Sequence, residues 1–479
     1  MQTRAILRGF GFLALLLAVA LLLPFGVALG TQGPDAKAFG WTILLTVAVG
    51  GGLIASGKGK ELGVRDGFAI VTGSWLLFAL LGSLPYLFSG TVSSYTDAFF
   101  EAMSGFTTTG ATILPDIEKA PLGILLWRSL TQWLGGMGII VLTIALLPLF
   151  GVGGLQLFRA ETPGPTKERL APRIRETAKL LWGVYVALSA LEWLLLVFGG
   201  MPPFEALLHT FTTMSTGGFS PKNASIAAYA SPYLQWVIIV FMALAGTSFS
   251  LHYLAINGKP KAYWRNREFR LYLFVILLAA AVGVGSLLAA GARGIGGTVR
   301  DAIFQAVSIT TTTGFVTADF EAWPIFLQAV LLFLMFFGGC SGSTGGGMKH
   351  IRLYYLFRQG GTQIARLVHP RAVKELVMGG RPVSGDVIQG VQAFFFLYLT
   401  AWMVGTLGLV AFGMDLVSGF SAAASALGNI GPALGAVGPT DHFGELHFLA
   451  KWLLAGLMLL GRLEIFPVLA LLTREFWRQ

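Results

Sequence analysis

The sequence predicts an all-α membrane protein, with two N-terminal helices followed by four repeats of helix, half-length segment and helix set about a pseudo-fourfold axis. Three observations lead there. Of the 479 residues, 55% are hydrophobic and only 12% are charged, and the mean hydropathy is +0.72, which leaves too little charge to solvate a globular surface of this size. Apolar runs of about 20 residues, the length that spans a hydrocarbon core of roughly 30 Å, recur along the chain. Between certain pairs of runs lie four shorter segments with tails rich in Thr, Ser and Gly.

In chain order, full-length spans are expected at 5–30, 39–56, 67–89, 122–150, 177–199, 232–257, 269–290, 322–338, 386–412 and 447–473. A further segment, 348–368, starts apolar and turns basic. The spans lack the alternation of barrel strands, and helices satisfy every backbone group internally, so a helical bundle is the consistent architecture. The first span resembles a signal peptide, yet its apolar stretch is longer than an h-region and further spans follow, so it reads as a retained helix. The composition excludes a soluble enzyme, and the basic residues sit in short loops, where topology rather than a nucleic-acid partner explains them. The single cysteine, Cys340, allows no intrachain disulfide, and no CxxC, P-loop or strand-bound GxGxxG occurs. No enzymatic activity is expected.

Of the 33 Lys and Arg, 25 fall in one alternating set of loops, five in the other and three (Arg128, Lys451, Arg462) inside apolar spans. The richer set includes Lys58 and Lys60, groups at 159–179 and 259–270, and the basic stretch 349–381. That bias places both termini in the cytoplasm. Acidic residues lean outward (Asp97, Glu101, Asp116, Glu205, Asp301, Asp441 among them), which gives the outer face a net negative charge, read either as a field that concentrates cations at an outer entrance or as a solubilising acidic rim.

The four short segments read TDAFFEAMSGFTTTGAT (96–112), FEALLHTFTTMSTGGFS (204–220), RDAIFQAVSITTTTGFV (300–316) and SGFSAAASALGNIGPAL (418–434). Aligned on Gly110, Gly217, Gly314 and Gly431, they define a repeat of about 100 residues. About 14 apolar residues cannot cross a bilayer, so each segment enters and turns back, giving helix–pore loop–helix units around a pseudo-fourfold pore. The expected division is an N-terminal helix pair (1–65), then units 66–158, 159–258, 259–381 and 382–479. Irregular backbone at membrane depth is tolerated where it lines water. The expected cation-binding filter is Thr108, Thr109, Gly110, Ser215, Thr216, Gly217, Thr312, Thr313, Gly314, Asn429, Ile430 and Gly431. Its carbonyl and hydroxyl oxygens replace a bare cation's hydration shell, and the half-helix C-termini point their negative dipole ends at it. Glycine supplies the φ values that inward-facing carbonyls demand.

At this point the chain resembles the Trk/Ktr/HKT superfamily of potassium transporters, and within it the bacterial TrkH/TrkG type of membrane subunit. The likeness rests on the four filter segments together with WRSLTQWLGGMGIIV (127–141), GTSFSLHY (246–253), GGCSGSTGGGMKHIR (338–352) and GRLEIFP (461–467). It implies potassium (K+) uptake across the bacterial inner membrane, a homodimer, and control by a cytosolic nucleotide-binding ring of the TrkA type. The strands read TTGAT, STGGF, TTGFV and NIGPA, with no GYG, so K+ and rubidium (Rb+) are expected to pass and sodium to be excluded less strictly than in a fourfold TVGYG filter.

The run from Gly338 to Gly347 holds six glycines among ten residues and cannot stay helical, at about 1 kcal/mol per glycine relative to alanine. Gly338, Gly339, Ser341, Gly342, Gly345, Gly346 and Gly347 are therefore expected to form a flexible gate loop below the filter, with Lys349 against the loop or an acidic partner. Arg462 lies 15 residues into the last span, roughly 22 Å deep at 1.5 Å per residue, where a charge is a functional candidate by default. It is read as an electrostatic barrier to cations, the bland alternative being an ion pair with a partner other than Glu464. Glu192 is read as structural, paired with Arg128 or Lys451 or with neither, and His209 as a packing residue. The basic stretch 349–381 is read as the dock for the regulatory ring, attraction to anionic lipid being the alternative that gives the same composition. The competing function is a secondary carrier coupling potassium to protons or sodium, which the scarcity of titratable groups in the filter segments disfavours. A membrane scaffold ranks last.

Overall fold

The computed structural model describes residues 2–56, 63–146, 170–292, 294–369, 377–378 and 381–478. Lys58, Lys60, Arg293, Arg371, Lys374, much of the basic group at 159–179 and the expected boundary at 158/159 lie outside the described residues.

Among the described residues the regular structure is helical, apart from one minimal antiparallel pair at Val377–Met378 and Arg381–Pro382 and an isolated bridge between Phe337 and Met348. Two N-terminal helices, α1 (Thr3–Gly30) and α2 (Ala36–Ala55), form a hairpin. A Cβ on Gly11 would sit 2.7 Å from the Gly50 carbonyl oxygen, so these two backbones touch. The first repeat consists of α3 (Val64–Gly82), a half-helix α4 (Tyr95–Phe106) and α5 (Leu122–Leu146). The second has α6 (Leu170–Phe198), α7 (Pro203–Met214), α8 (Pro232–Ala245) and α9 (Phe249–Ile256). The third has α10 (Arg267–Ala289), α11 (Ile295–Thr310), α12 (Ile325–Leu334) and α13 (His350–Val368). The fourth has α14 (Gly385–Ala411), α15 (Leu416–Gly428), α16 (Phe448–Arg462) and α17 (Phe466–Leu472).

Six helices are long and apolar enough to cross a membrane, and two bent pairs make up to two more spans, by length and composition among the described residues. The bends correct the sequence expectation, because 232–257 and 447–473 are not single straight spans. The chain turns by 101° between α8 and α9 and by 118° between α16 and α17. The first break falls at Gly246 and Thr247, and the second at Glu464 and Ile465, whose φ values are +57° and +63°. Hydropathy is blind to both because the residues on either side stay apolar.

The half-helices α4, α7, α11 and α15 form the core, and Ala98 to Phe106 of α4 and Ser421 to Gly428 of α15 are buried without interruption. The outer helices present Leu16, Trp41, Phe198 and Phe274 outward, the reverse of a soluble protein and the arrangement a lipid solvent rewards.

Candidate functional site

Each half-helix ends in a short strand with one conformational signature. A residue with left-handed backbone is followed two positions later by a glycine with positive φ. These pairs are Thr108 (φ +52°) and Gly110 (+84°), Thr216 (+53°) and Gly218 (+78°), Thr312 (+61°) and Gly314 (+79°), and Asn429 (+55°) and Gly431 (+107°). Asparagine tolerates this region, whereas a β-branched threonine does so at about 1–2 kcal/mol each. Three such threonines at equivalent places mark a backbone held by its surroundings, as at functional sites.

The signature shifts the expected register in the second repeat. Gly218, not Gly217, is the counterpart of Gly110, Gly314 and Gly431, and Ser215 lies one position before the strand, its hydroxyl donating to the Phe211 carbonyl at 2.7 Å. Backbone bonding agrees. The amides of Thr109, Gly217, Thr313 and Ile430 donate to the carbonyls of Ser104, Thr212, Ser308 and Ser425 at 2.8–3.0 Å. The cue in the sequence was the Gly-Phe pair, which matches Gly218-Phe219 to Gly314-Phe315.

The four strands close into a ring. A Cβ on Gly110 would lie 2.2 Å from the Gly217 carbonyl oxygen, on Gly218 2.0 Å from that of Thr313, on Gly314 1.8 Å from that of Ile430, and on Gly431 2.8 Å from that of Thr109. Each glycine thus abuts the next repeat's carbonyl in the cyclic order one, two, three, four, one. Only a residue without a side chain allows this approach. Asn429 adds a side-chain tie, its Nδ2 donating to Thr109 Oγ1 (3.1 Å) and to the Met458 carbonyl (2.9 Å).

A second ring of contacts lies beyond the strands. Asn223 of the second repeat accepts from Ile117 N–H (2.7 Å) and donates to Asp116 Oδ1 (3.0 Å). Val316 N–H donates to Ser225 Oγ (3.3 Å), Gly435 N–H to Glu321, and Phe443 N–H to the Thr112 carbonyl (2.8 Å). These join repeats one to two, two to three, three to four and four to one. The bond from Asn223, reinforced by Lys119, holds the Asp116 carboxyl below the usual carboxylate range.

Buried charge braces the ring. Arg128 on α5 pairs with Glu101 on α4 at 2.7 Å, both nearly inaccessible. Its other nitrogens donate to the Ser220 carbonyl (3.1 Å) and Thr112 Oγ1 (3.2 Å), and its guanidinium stacks 4.1 Å from the Phe219 ring centre. Lys451 pairs with Asp97 at 2.5 Å. The two partners considered for Glu192 are therefore both engaged elsewhere, while Glu192 itself is buried on α6. His209 bonds through both ring nitrogens, to the Glu205 carbonyl (2.9 Å) and Ser220 Oγ (3.1 Å), as expected of a packing residue.

The glycine-rich run between α12 and α13 is non-helical and lies against the strands. Gly346 N–H donates to Thr312 Oγ1 at 2.7 Å, and Thr344 Oγ1 donates to the Met214 carbonyl at 3.0 Å. A Cβ on Gly346 would lie 2.3 Å from the Gly428 carbonyl oxygen. The run is not loose, since most of its backbone is bonded. Cys340 N–H donates to the Gly246 carbonyl (2.8 Å), Phe249 N–H to the Gly342 carbonyl (3.0 Å) and Gly338 N–H to the Met348 carbonyl (3.0 Å). Gly339 packs against Gly246 at the break between α8 and α9, and Gly347 packs against Gly338 within the run.

Glu268 on α10, which sequence reasoning passed over, ties the run to the first turn of α13. Its Oε1 accepts from Ser341 N–H (2.7 Å) and Ile351 N–H (3.1 Å). Lys349 donates to the carbonyls of Gly345 and Gly346 rather than to an acidic partner. Arg462 donates to the Thr344 carbonyl (2.7 Å) and the Gly135 carbonyl (2.9 Å), and makes no ion pair among the described residues. Glu464 pairs instead with Arg352 at 2.5 Å.

Comparison with known proteins gives one answer from every direction. Residues 36–477 match the family model TrkH, described as a cation transport protein. The chain is 44% identical over 486 residues to the Trk system potassium uptake protein TrkH of Vibrio parahaemolyticus, and 42% identical over 489 residues to the protein of that name from Salmonella typhimurium, with all of each chain covered. It also superimposes on the crystal structure of the potassium transporter TrkH from Vibrio parahaemolyticus with a TM-score of 0.92 at 41% identity, again over the whole of both chains.

Proposed function

This chain belongs to the TrkH family of cation transport proteins, and from that premise we propose that it takes up potassium across the cytoplasmic membrane through the ring of four strands, gated from below by the glycine-rich loop. The observation that carries the reading is the cyclic contact of Gly110, Gly218, Gly314 and Gly431 with the neighbouring carbonyls. Four short strands meeting on one axis place carbonyl oxygens where a cation can exchange its water for them. The binding residues are Thr108, Thr109 and Gly110, Thr216, Gly217 and Gly218, Thr312, Thr313 and Gly314, and Asn429, Ile430 and Gly431. Half-helix C-termini at the inner side add a negative field that favours a cation in the vestibule.

The loop, Lys349 and Arg462 form the gate. They put two positive charges under the filter and join strands two and three to the last span, which supports a closed state in which the path is obstructed both sterically and electrostatically. The functional units divide as 66–158, 159–258, 259–381 and 382–479 behind an N-terminal pair at 1–65. The charge bias of the loops supports cytoplasmic termini. A homodimer, a cytosolic nucleotide-binding ring of the TrkA type docked on the basic stretch 349–381, and passage of Rb+ complete the reading, drawn from the family likeness.

The test is radioactive Rb+ uptake into proteoliposomes that hold the purified chain and a trapped potassium gradient, with sodium and ammonium as competitors. Uptake blocked by external potassium and insensitive to a proton uncoupler in potential-clamped vesicles supports the gated conduit. Dependence on an imposed proton or sodium gradient overturns it in favour of a coupled carrier, and equal competition by sodium and potassium overturns the potassium assignment.

A further inference from the structure

The second strand differs from the other three in a way that needs an external support. At the ring carbonyl the first, third and fourth strands carry Thr109, Thr313 and Ile430, whereas the second carries Gly217, followed at once by Gly218. Two consecutive glycines leave the peptide between them free to rotate, because neither has a Cβ to restrict φ or to pack behind the strand.

Gln132 of α5 fills that gap. It is fully buried, and a Cβ on Gly217 would meet its Cδ at 2.3 Å, the three nearest atoms all belonging to this one side chain. Its Nε2 donates to the Gly217 carbonyl at 2.7 Å, and its Oε1 accepts from Phe219 N–H at 3.1 Å. The amide orientation is fixed by this pairing, since the flipped form would set oxygen against carbonyl and NH2 against N–H. One planar side chain therefore clamps the peptides on both sides of Gly218. Arg128, one turn earlier on the same face, holds the Ser220 carbonyl just beyond.

Among the described residues the other three repeats have no equivalent. Three residues before the corresponding glycine that follows each strand, which is mid-helix at Gly135 and at or beyond the helix end at Gly246, Gly338 and Gly461, stand Gln132, Ala243, Met335 and Met458, and neither alanine nor methionine side chains can donate to a carbonyl.

We propose that Gln132 is a selectivity-determining positioning residue, which holds the Gly217 carbonyl in the cation ring from behind. This rests on the reading of the ring as the filter. Discrimination between potassium and sodium depends on the number and placement of coordinating carbonyls. A Gly217 peptide released from Gln132 can rotate its oxygen out of the ring, leaving three fixed carbonyls and a site that water completes, which suits the smaller ion. The consequence falls on ion preference rather than on conduction.

The experiment measures Rb+ uptake in proteoliposomes of the full chain, with sodium and potassium as competitors, for wild type, Gln132→Leu and Gln132→Glu. Leucine keeps the volume and removes both bonds. Glutamate, as a carboxylate, keeps the acceptor for Phe219 and loses the donor for Gly217. The expected result is a fall of about fivefold in the preference for potassium over sodium in both variants, the ratio that loss of one hydrogen bond corresponds to, with total cation flux kept within about a factor of two. If Gln132→Leu does not assemble, Gln132→Glu carries the same test. An unchanged preference in an assembled variant, whether its flux is normal or reduced, overturns the inference. A wild type without preference overturns the filter reading itself, so the two failures are distinguishable.

Discussion

The guanidinium of Arg462 and the backbone carbonyl of Thr344 stand 2.7 Å apart, although 118 residues separate them in sequence. With the second bond, to Gly135 at 2.9 Å, this arginine latches the glycine-rich run to two outer helices beneath the strands. Bonds from a charged donor contribute about 1.5–3 kcal/mol each, enough to decide the equilibrium of a short loop.

Arg462→Ala should therefore raise Rb+ flux by at least about tenfold, the change that 1.4 kcal/mol of lost latch energy produces. Arg462→Lys keeps the charge but not the two-pronged geometry and should fall between. Unchanged or lower flux in protein that elutes as wild type counts against the latch.

The contact between Gly346 N–H and Thr312 Oγ1 offers an independent handle on the proposed gate. Thr312→Val keeps the β-branched shape and deletes the acceptor, leaving an unpaired buried N–H at a cost of about 1–3 kcal/mol. Basal flux should rise several-fold, and the rise should be smaller on top of Arg462→Ala than alone, because both changes unlatch one loop.

Alanine at the ring glycines should abolish flux in a graded order. A Cβ meets a neighbouring carbonyl at 1.8 Å from Gly314, 2.0 Å from Gly218 and 2.2 Å from Gly110, but only at 2.8 Å from Gly431, so Gly431→Ala should retain the most activity. Gly217→Ala should be milder than Gly218→Ala, since Gly217 is not in the positive-φ region and its Cβ presses on a side chain rather than on backbone. Uptake normalised to folded protein tests the order, and the reverse ranking of the last pair would restore the register expected from sequence.

Removing one partner of the buried pair between Arg128 and Glu101 should destabilise the protein strongly. Arg128→Met leaves an uncompensated carboxylate and should cost about 3–5 kcal/mol, whereas Arg128→Met with Glu101→Leu should recover most of it. Thermal unfolding in detergent separates the two.

In the ring of contacts beyond the strands, the Asp116 carboxyl is lowered by its bond from Asn223 and by Lys119. A carboxyl whose folded-state pKa is depressed stabilises the fold above its unfolded value, near 3.9, and loses that contribution as pH falls through the folded value. The destabilisation caused by Asn223→Ala should therefore be present at pH 7 and shrink below pH 4, as read from melting curves across that range.

Much of this was legible one residue type at a time. The long apolar runs are set by bilayer thickness, so α1, α2, α10 and α14 match their expected spans to within three residues at either end. The Thr-Gly tails stand out because polar residues at membrane depth are costly without a purpose. Gln132 and Glu268 did not stand out, although Gln132 lies inside the WRSLTQWLGG stretch that marked the resemblance. A lone amide or carboxylate in a helix carries no periodic signal, and its role exists only through the strand or loop it meets.

By itself, the sequence determined the helical class, the fourfold repetition, the half-length segments and the glycine-rich interruption, because each follows from local physics: hydrophobic length, helix propensity and the need for oxygen-rich backbone in a water-lined path. Tertiary structure alone decided that Gly218 rather than Gly217 is the counterpart of Gly110, Gly314 and Gly431, that the chain bends after α8 and after α16, that Arg462 meets carbonyls instead of a carboxylate, and that Gln132 braces the second strand. Those outcomes depend on contacts between residues some 85 to 330 positions apart. Such contacts are set by how four divergent repeats close around one axis, and no window along a single chain contains them.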